Sequence, residues 1–206
     1  MWVLIQARTN STRFPNKAMA LLDGEPLVKH IYDRARMVWS NVCFVIPFND
    51  PLKDYFYKSG MMFIEGPEND VLARYKHAAD MLHANWVCRL TADCPLLDVA
   101  QLAYMIWQVT QAKLDFLTNL PCVDGHDIEI ISKRALDWSY GLADKEYDRE
   151  HVMTYFKSHI GGFKDKFSHG TIRSPWLNEW MPKLSVDTPE DLLRIQEIYS
   201  KLKTQP

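Results

Sequence analysis

Three cations, Arg8, Arg13 and Lys17, stand close together in Gln6-Ala7-Arg8-Thr9-Asn10-Ser11-Thr12-Arg13-Phe14-Pro15-Asn16-Lys17, among small polar residues and directly after an apolar run. Guanidinium forks, an ammonium and backbone N–H groups converging from one loop are what a nucleoside triphosphate requires. The bland alternative is a solvated basic loop, and the Ser/Thr/Asn filling and the place after a strand favour the anion site. Neither the P-loop nor the dinucleotide glycine pattern is present. A second constellation, Arg89-Leu90-Thr91-Ala92-Asp93-Cys94-Pro95-Leu96-Leu97-Asp98, puts an acid at the end of a strand, with Pro95 preventing an immediate helix. Mg²⁺ takes one or two carboxylates plus phosphate oxygens and water, which suits Asp93. Asp98 precedes a helix and reads as its N-cap, and Cys94 as a packed thiol.

Asp187, in Val186-Asp187-Thr188-Pro189-Glu190-Asp191, is explained alone by helix capping and, paired with Asp93, becomes a candidate second metal carboxylate. Neither acid has a basic neighbour in sequence. In Asp124-Gly125-His126-Asp127-Ile128-Glu129, Asp127 and Glu129 share one face of a strand without the ligand spacing of a calcium loop. That segment and Arg149-Glu150-His151 read evenly as surface or as acceptor-binding groups.

The elements that must position these groups alternate. Apolar or β-branched runs at Trp2–Ala7, Val42–Pro47, Met61–Ile64 and Trp86–Leu90 predict strands. Helical periodicity predicts helices at Pro26–Val38, Pro51–Lys58, Asp70–His83 and Val99–Val109, with Pro26 in a first turn. Such alternation argues an α/β domain, a mostly parallel sheet with helices on both faces. In such sheets ligands lie beyond the carboxyl ends of the strands, where both Arg8–Lys17 and Thr91–Asp98 fall. After Asp115 the rhythm is less regular: Asp115–Thr118, His126–Ile131 and Lys166–Arg173 read as strands. A helix starts at Asp187 to Asp191, capped by Asp187 or Thr188, and Lys201–Pro206 reads as a frayed end.

The 206 residues, 47% hydrophobic, suffice for one substantial core, so residues 1–206 read as a single domain with a small C-terminal extension. A formal net charge of −2 gives no global pull toward nucleic acid or anionic membrane, so a polyanion must be held by a local cluster. No run is long enough to span a bilayer and no leader is evident. The 4 cysteines show no metal or CxxC spacing, as for free thiols in a reducing, cytoplasmic setting. The aromatic residues are expected in the core or in a homodimer contact.

The stretches IQARTNSTRFPNK (5–17), DVLARY (70–75), RLTADCPLLD (89–98), DGHDIEI (124–130), REHV (149–152) and VDTPEDL (186–192) occur in this order and span nearly the whole chain. Together they resemble the spore-coat polysaccharide (SpsF-type) branch of the cytidylyltransferase family, related to the CMP-sialic acid and CMP-Kdo synthetases. The resemblance implies a Rossmann-like, GT-A-related fold that condenses CTP with a small acidic acceptor and releases pyrophosphate, with Mg²⁺ as cofactor. It implies nucleotide contacts from Ala7, Arg8, Asn10, Ser11, Arg13, Lys17, Arg74 and Asp93. Arg13, Lys17, Asp93 and Asp187 would act in catalysis, the two acids as metal ligands. Asp127, Glu129, Arg149, Glu150 and His151 would face the acceptor, with His151 the candidate if a protein base is used. The family usually has glycine where this chain has Asn10 and Asn16, and often where it has Ala92. Asn enters left-handed backbone readily, so the loop is expected to form. The rival readings are a GT-A-type glycosyltransferase, which would normally carry a paired-acid motif in place of Asp93-Cys94-Pro95, and a non-catalytic nucleotide-binding relative.

Overall fold

The computed structural model describes residues 1–162, 165–175 and 181–204. In chain order the first strand, β1 (Trp2–Gln6), is followed by a loop and a 3₁₀ turn at Lys17–Met19. A short antiparallel hairpin, β2 (Leu21–Leu22) and β3 (Glu25–Pro26), leads into α1 (Leu27–Val38). Pro26 thus pairs with Leu21 and precedes the helix, where a first-turn position was expected, because Leu27 N–H donates to Ala20 O and closes the hairpin at 3.0 Å. Then come β4 (Val42–Pro47), α2 (Leu52–Lys58), β5 (Phe63–Gly66), α3 (Val71–Met81), β6 (Trp86–Thr91) and α4 (Val99–Ala112). The less regular part holds β7 (Phe116–Thr118), β8 (Glu129–Ser132), α5 (Lys133–Leu142), α6 (Glu146–Glu150), α7 (Thr154–His159), β9 (His169–Thr171) and α8 (Pro189–Thr204).

One 7-stranded sheet runs β5-β4-β1-β6-β8-β7-β9. The pairs from β5 through β6 are parallel, β8 runs antiparallel to both its neighbours, and β9 pairs parallel with β7. Strand order therefore reverses between β1 and β6. That is the switch point at which the carboxyl ends of neighbouring strands open a crevice, and the loops after both strands carry the candidate residues.

Alternation along the strands divides the core. Val3, Ile5, Phe44 and Ile46 pack under α1, α2 and α4, while Leu4, Cys43, Val45 and Val87 pack under α3, α5 and α7. A third cluster joins the β2–β3 hairpin to Leu184, Val186 and Ile195, so α8 folds back over the start of the chain. Helix starts follow the local chemistry. Asp70 caps α3 through Ala73 N–H, and Asp98 caps α4 through Ala100 and Gln101 N–H. At α8, Thr188 Oγ1 accepts from Asp191 N–H at 3.3 Å and Asp191 Oδ2 accepts from Thr188 N–H at 3.0 Å, a reciprocal capping box. The cap is Thr188, which leaves the Asp187 carboxylate to other partners.

Strand boundaries differ from the sequence reading at several points; the strand expected over Lys166–Arg173, for one, spans only His169–Thr171. The strand expected from His126 begins at Glu129, because Asn119 holds the preceding residues: its Nδ2 donates to His126 O (2.7 Å) and its Oδ1 accepts from Ile128 N–H (2.8 Å). The strand expected at Met61 begins at Phe63, which lies opposite Phe44. At the tail, Lys201–Thr204 continues α8, against the expected fraying, and 205–206 lie outside the described residues. No described helix is long and apolar enough to cross a membrane.

Candidate active site

The loop after β1 is folded by its own polar residues. Asp50 Oδ2 accepts from Thr9 N–H (2.9 Å) and Thr9 Oγ1 (3.2 Å), and Asn16 N–H returns to Thr9 O (3.0 Å). Asn16 takes the left-handed backbone, φ 56°, that sequence reasoning anticipated for it. Asn10 and Ala92 do not have positive φ, so glycine is not required at either. Asn10 Nδ2 instead donates to Glu68 Oε1 at 3.1 Å, tying the loop to the segment before α3.

Lys17 then projects to the centre of the site. Its Nζ lies 2.6 Å from Asp93 Oδ2 and 2.9 Å from Asp187 Oδ1, and donates to Val186 O at 3.0 Å. Backbone bonds bring the two acids together across their distance in sequence. Ala92 N–H donates to Gln6 O (3.0 Å), fixing the loop after β6 on β1, and Val186 N–H donates to Asp93 O (2.8 Å). Asp187 also meets Arg13 Nη2 at 2.9 Å and Lys183 Nζ. The expectation that these acids lack a basic neighbour fails in space, and for Asp187 also along the chain, where Lys183 stands four residues before it. Burial opposes charge on Asp187, but hydrogen bonds from Lys17 and Lys183 outweigh it and hold its pKa down to about 2. Burial likewise opposes the Lys17 ammonium, yet Asp93 and Asp187 raise its pKa above the ordinary value.

Mg²⁺ fits this donor set. Two hard carboxylates from separate elements approach a single point, now bridged by Lys17 Nζ, at the wall of an open cavity that can admit phosphate and water oxygens. No group of three or more metal-ligating side chains exists among the described residues. The rest of a coordination shell would come from substrate and water.

The cavity has a volume of about 550 Å³ and lies at the carboxyl ends of β1 and β6. Ala7, Arg8, Asn10, Ser11, Arg13, Lys17, Arg74 and Asp93 all line it, as do Asp127, Glu150 and His151. Arg8 approaches Glu150 at 4.0 Å. Arg74 lines the cavity and also braces it: it is 2% exposed, and its Nε and Nη2 donate to Pro67 O and Glu68 O in the loop before α3. Glu129 and Arg149 are corrections in place, since neither lines the cavity. Glu129 is buried on β8 between Arg89 (3.1 Å) and Lys157 (2.7 Å). Arg149 donates to Ala143 O and Tyr140 O, pairs with Asp70 at 3.3 Å, and lies over the Tyr140 ring. His151 packs against Tyr147, ring centroids 4.4 Å apart. Cys94 is buried with its thiol pKa pushed well up by burial, a packed thiol as expected.

Sequence reasoning missed Glu68, Asn69, Arg89 and Ser185 in the lining, and Lys183 beside Asp187, while Thr91 and Asp124 fall in stretches it singled out. Only Arg89 carried a signal, a cation inside an apolar strand.

Comparison with known proteins agrees with this geometry. A family model described as cytidylyltransferase matches residues 2–204. The spore coat polysaccharide biosynthesis protein SpsF of Bacillus subtilis is 26% identical, over 98% of this chain and 88% of that protein. A 3-deoxy-manno-octulosonate cytidylyltransferase of Pseudoalteromonas atlantica is 26% identical, over 94% of this chain and 95% of its own length. Among solved structures, a cytidylyltransferase from Leptospira borgpetersenii superposes with a TM-score of 0.82 at 24% identity, covering 100% of this chain and 97% of that one.

Proposed function

Because this chain belongs to the cytidylyltransferase family, we propose that it transfers CMP from CTP to a small acidic sugar, or a related acid or phosphate acceptor, in polysaccharide biosynthesis, releasing pyrophosphate. The observation that carries the reading is the meeting of Asp93, Asp187 and Lys17 at the switch point, beside a loop that adds Arg8 and Arg13.

In this reading an acceptor oxygen attacks the α-phosphorus in line, and the bond to the β-phosphate oxygen breaks with its electron pair on pyrophosphate. Lys17 and Arg13, able to turn from Asp187 toward the triphosphate, stabilise charge gathering on that leaving group. Asp93 and Asp187 would hold Mg²⁺, which when bound withdraws charge from the phosphate oxygens. The loop from Arg8 to Lys17 and the braced segment at Glu68 and Asn69 enclose the nucleotide, while Asp127, Glu150 and His151 face the acceptor. The working form is a cytoplasmic homodimer that binds neither nucleic acid nor membrane.

Pyrophosphate release with CTP and Mg²⁺ across a panel of sugar acids and phosphates tests the proposal. Release with at least one acid and none with UTP, ATP or GTP is expected. Cleavage of a nucleotide sugar without pyrophosphate release would make the chain a glycosyltransferase, and CTP binding without turnover on any acceptor would make it a sensor.

A further inference from the structure

The two acids at the centre of the site each turn one oxygen inward and have the other covered from behind. Asp93 Oδ2 and Asp187 Oδ1 meet at Lys17 Nζ, and Arg13 Nη2 shares Asp187 Oδ1 at 2.9 Å. Behind them, Asp93 Oδ1 accepts a weak bond from Cys94 Sγ at 3.6 Å, whereas Asp187 Oδ2 accepts from the Lys183 ammonium. Lys17 and Arg13 line the cavity and can follow an incoming triphosphate; Lys183 does not line it. Lys183 is also pinned where it stands. Its carbonyl accepts from Arg194 Nε on α8 at 3.0 Å, and the next residue, Leu184, donates its N–H to Asp124 O at 2.7 Å. Two more carboxylates flank its Nζ, Asp191 Oδ2 at 3.6 Å and Asp124 Oδ2 at 3.8 Å. An isolated surface ion pair contributes little, but here the Asp187 side chain is 17% exposed and that of Asp191 12%. Lys183 is therefore the cation placed to stay on Asp187 Oδ2 when Lys17 and Arg13 leave Oδ1.

We infer that Lys183 is a positioning residue that sets the choice of divalent ion: by occupying Asp187 Oδ2 it leaves one oxygen for the metal, and so favours Mg²⁺ over Ca²⁺. This rests on the metal reading above and goes beyond it, by giving a role in selectivity to a residue outside the cavity wall. The physical basis is what each ion demands. Mg²⁺ needs a tight octahedron at about 2.0–2.1 Å, filled by single carboxylate oxygens, phosphate and water. Ca²⁺ takes about 6–8 oxygens at longer range and gains from a carboxylate that turns both oxygens to it. Holding Oδ2 on an ammonium denies the larger ion its extra ligand and takes nothing from the smaller one. Outer partners of metal ligands change affinity by about 10–100-fold. The charge of Lys183 also repels a bound cation, but equally for two ions of the same charge. The ratio between them is therefore what reports the positioning.

The test is calorimetric titration of the full chain with CTP, in saturating Mg²⁺ and again in saturating Ca²⁺, with no acceptor so that no turnover intervenes. The wild type should bind CTP more tightly with Mg²⁺. Lys183→Met, which keeps the apolar stem and removes the ammonium, should shift the ratio of the two Kd values toward Ca²⁺ by about 10-fold or more. Lys183→Arg, whose guanidinium can still cover Oδ2, should keep the wild-type ratio. Should Lys183→Met not fold, Lys183→Ala serves. A wild type with no preference for Mg²⁺, a ratio unchanged on loss of the ammonium, or a ratio lost equally in Lys183→Arg would overturn the inference and leave the metal reading standing. CTP binding that is the same with either ion and with chelator would remove the metal reading, and this inference with it.

Discussion

Asp187 meets Arg13, Lys17 and Lys183, and those contacts decide what substitutions around it should do. With its pKa held near 2 it is ionised at every working pH, ready to ligate a cation. Thr188 and Asp191 cap α8 without its side chain, so Asp187→Asn should spare the fold while lowering Mg²⁺-dependent pyrophosphate release by about 10²–10³ or more. A steady-state assay beside a thermal melt checks this, and full activity at limiting Mg²⁺ would reduce Asp187 to an ion-pair partner. Lys17→Ala should cost a similar factor, because its side chain is 17% exposed and its charge is little screened. Arg13 is 64% exposed and more screened, so Arg13→Ala should cost less; the ratio of the two kcat/KM losses reads the difference. In sequence, Lys17 and Asp93 were recognisable as residue types with the right chemistry. That Lys17 would bridge Asp93 and Asp187 was not, because the bridge depends on Val186 N–H reaching Asp93 O.

Elements set the reach of these residues, and the segment before Asp187 shows how. It is zipped between two loops: Leu184 N–H donates to Asp124 O at 2.7 Å and Val186 N–H to Asp93 O at 2.8 Å. Gly125, at φ +104°, lies so close that an added Cβ would sit 2.5 Å from Leu184 C and Ser185 N. Backbone cannot yield as a side-chain tip can, so Gly125→Ala should push the segment outward, lower Tm and displace Asp187. Loss of turnover larger than the loss of folded fraction would mark that displacement. Farther along the sheet, Asp115 ties β7 to its neighbours through Ser132 Oγ (2.7 Å), Arg134 and Ser168 N–H (3.0 Å). Burial would raise its pKa, but these partners lower it below the ordinary 3.8. A depressed folded pKa means stability present above the unfolded value and lost as pH falls through the folded one. Asp115→Asn should therefore destabilise the protein by about 1–2 kcal/mol at neutral pH, a gap that narrows in melts taken below pH 3.8. The early elements were legible because buried strands such as Val42–Pro47 are continuously apolar and helices such as Leu27–Val38 keep their period. The start of β8 was not, since it depends on a single buried amide, Asn119, that no periodicity reveals.

Across the whole molecule the cavity draws its walls from widely separated stretches, from Gln6 through Arg74 and Arg89 to Ser185 and Asp187. Charge type alone could not separate wall from brace. Glu129 and Arg149 carry functional-looking side chains, yet each is turned to carbonyls or buried partners that only the fold supplies, while Arg74 is both wall and brace. The same dispersal makes ligand binding a property of the entire domain. A nucleotide bound as proposed would touch residues of both core layers and the loop after β1, so it should oppose global unfolding and not merely local opening. Ligand at 100 times its Kd adds about 2.7 kcal/mol, and a domain of this size gains about 2–4 °C in Tm for each kcal/mol. CTP with Mg²⁺ should therefore raise Tm by about 5–10 °C. ATP and GTP should give much less, because a site that hydrogen-bonds one base edge leaves its buried groups unpaired with another. Asp187→Asn should lose the part of the CTP shift that depends on Mg²⁺ and keep the rest, since Arg8 and Lys17 remain. Equal shifts with CTP and ATP, read by differential scanning calorimetry at matched saturation, would remove the preference for cytidine while leaving triphosphate binding intact.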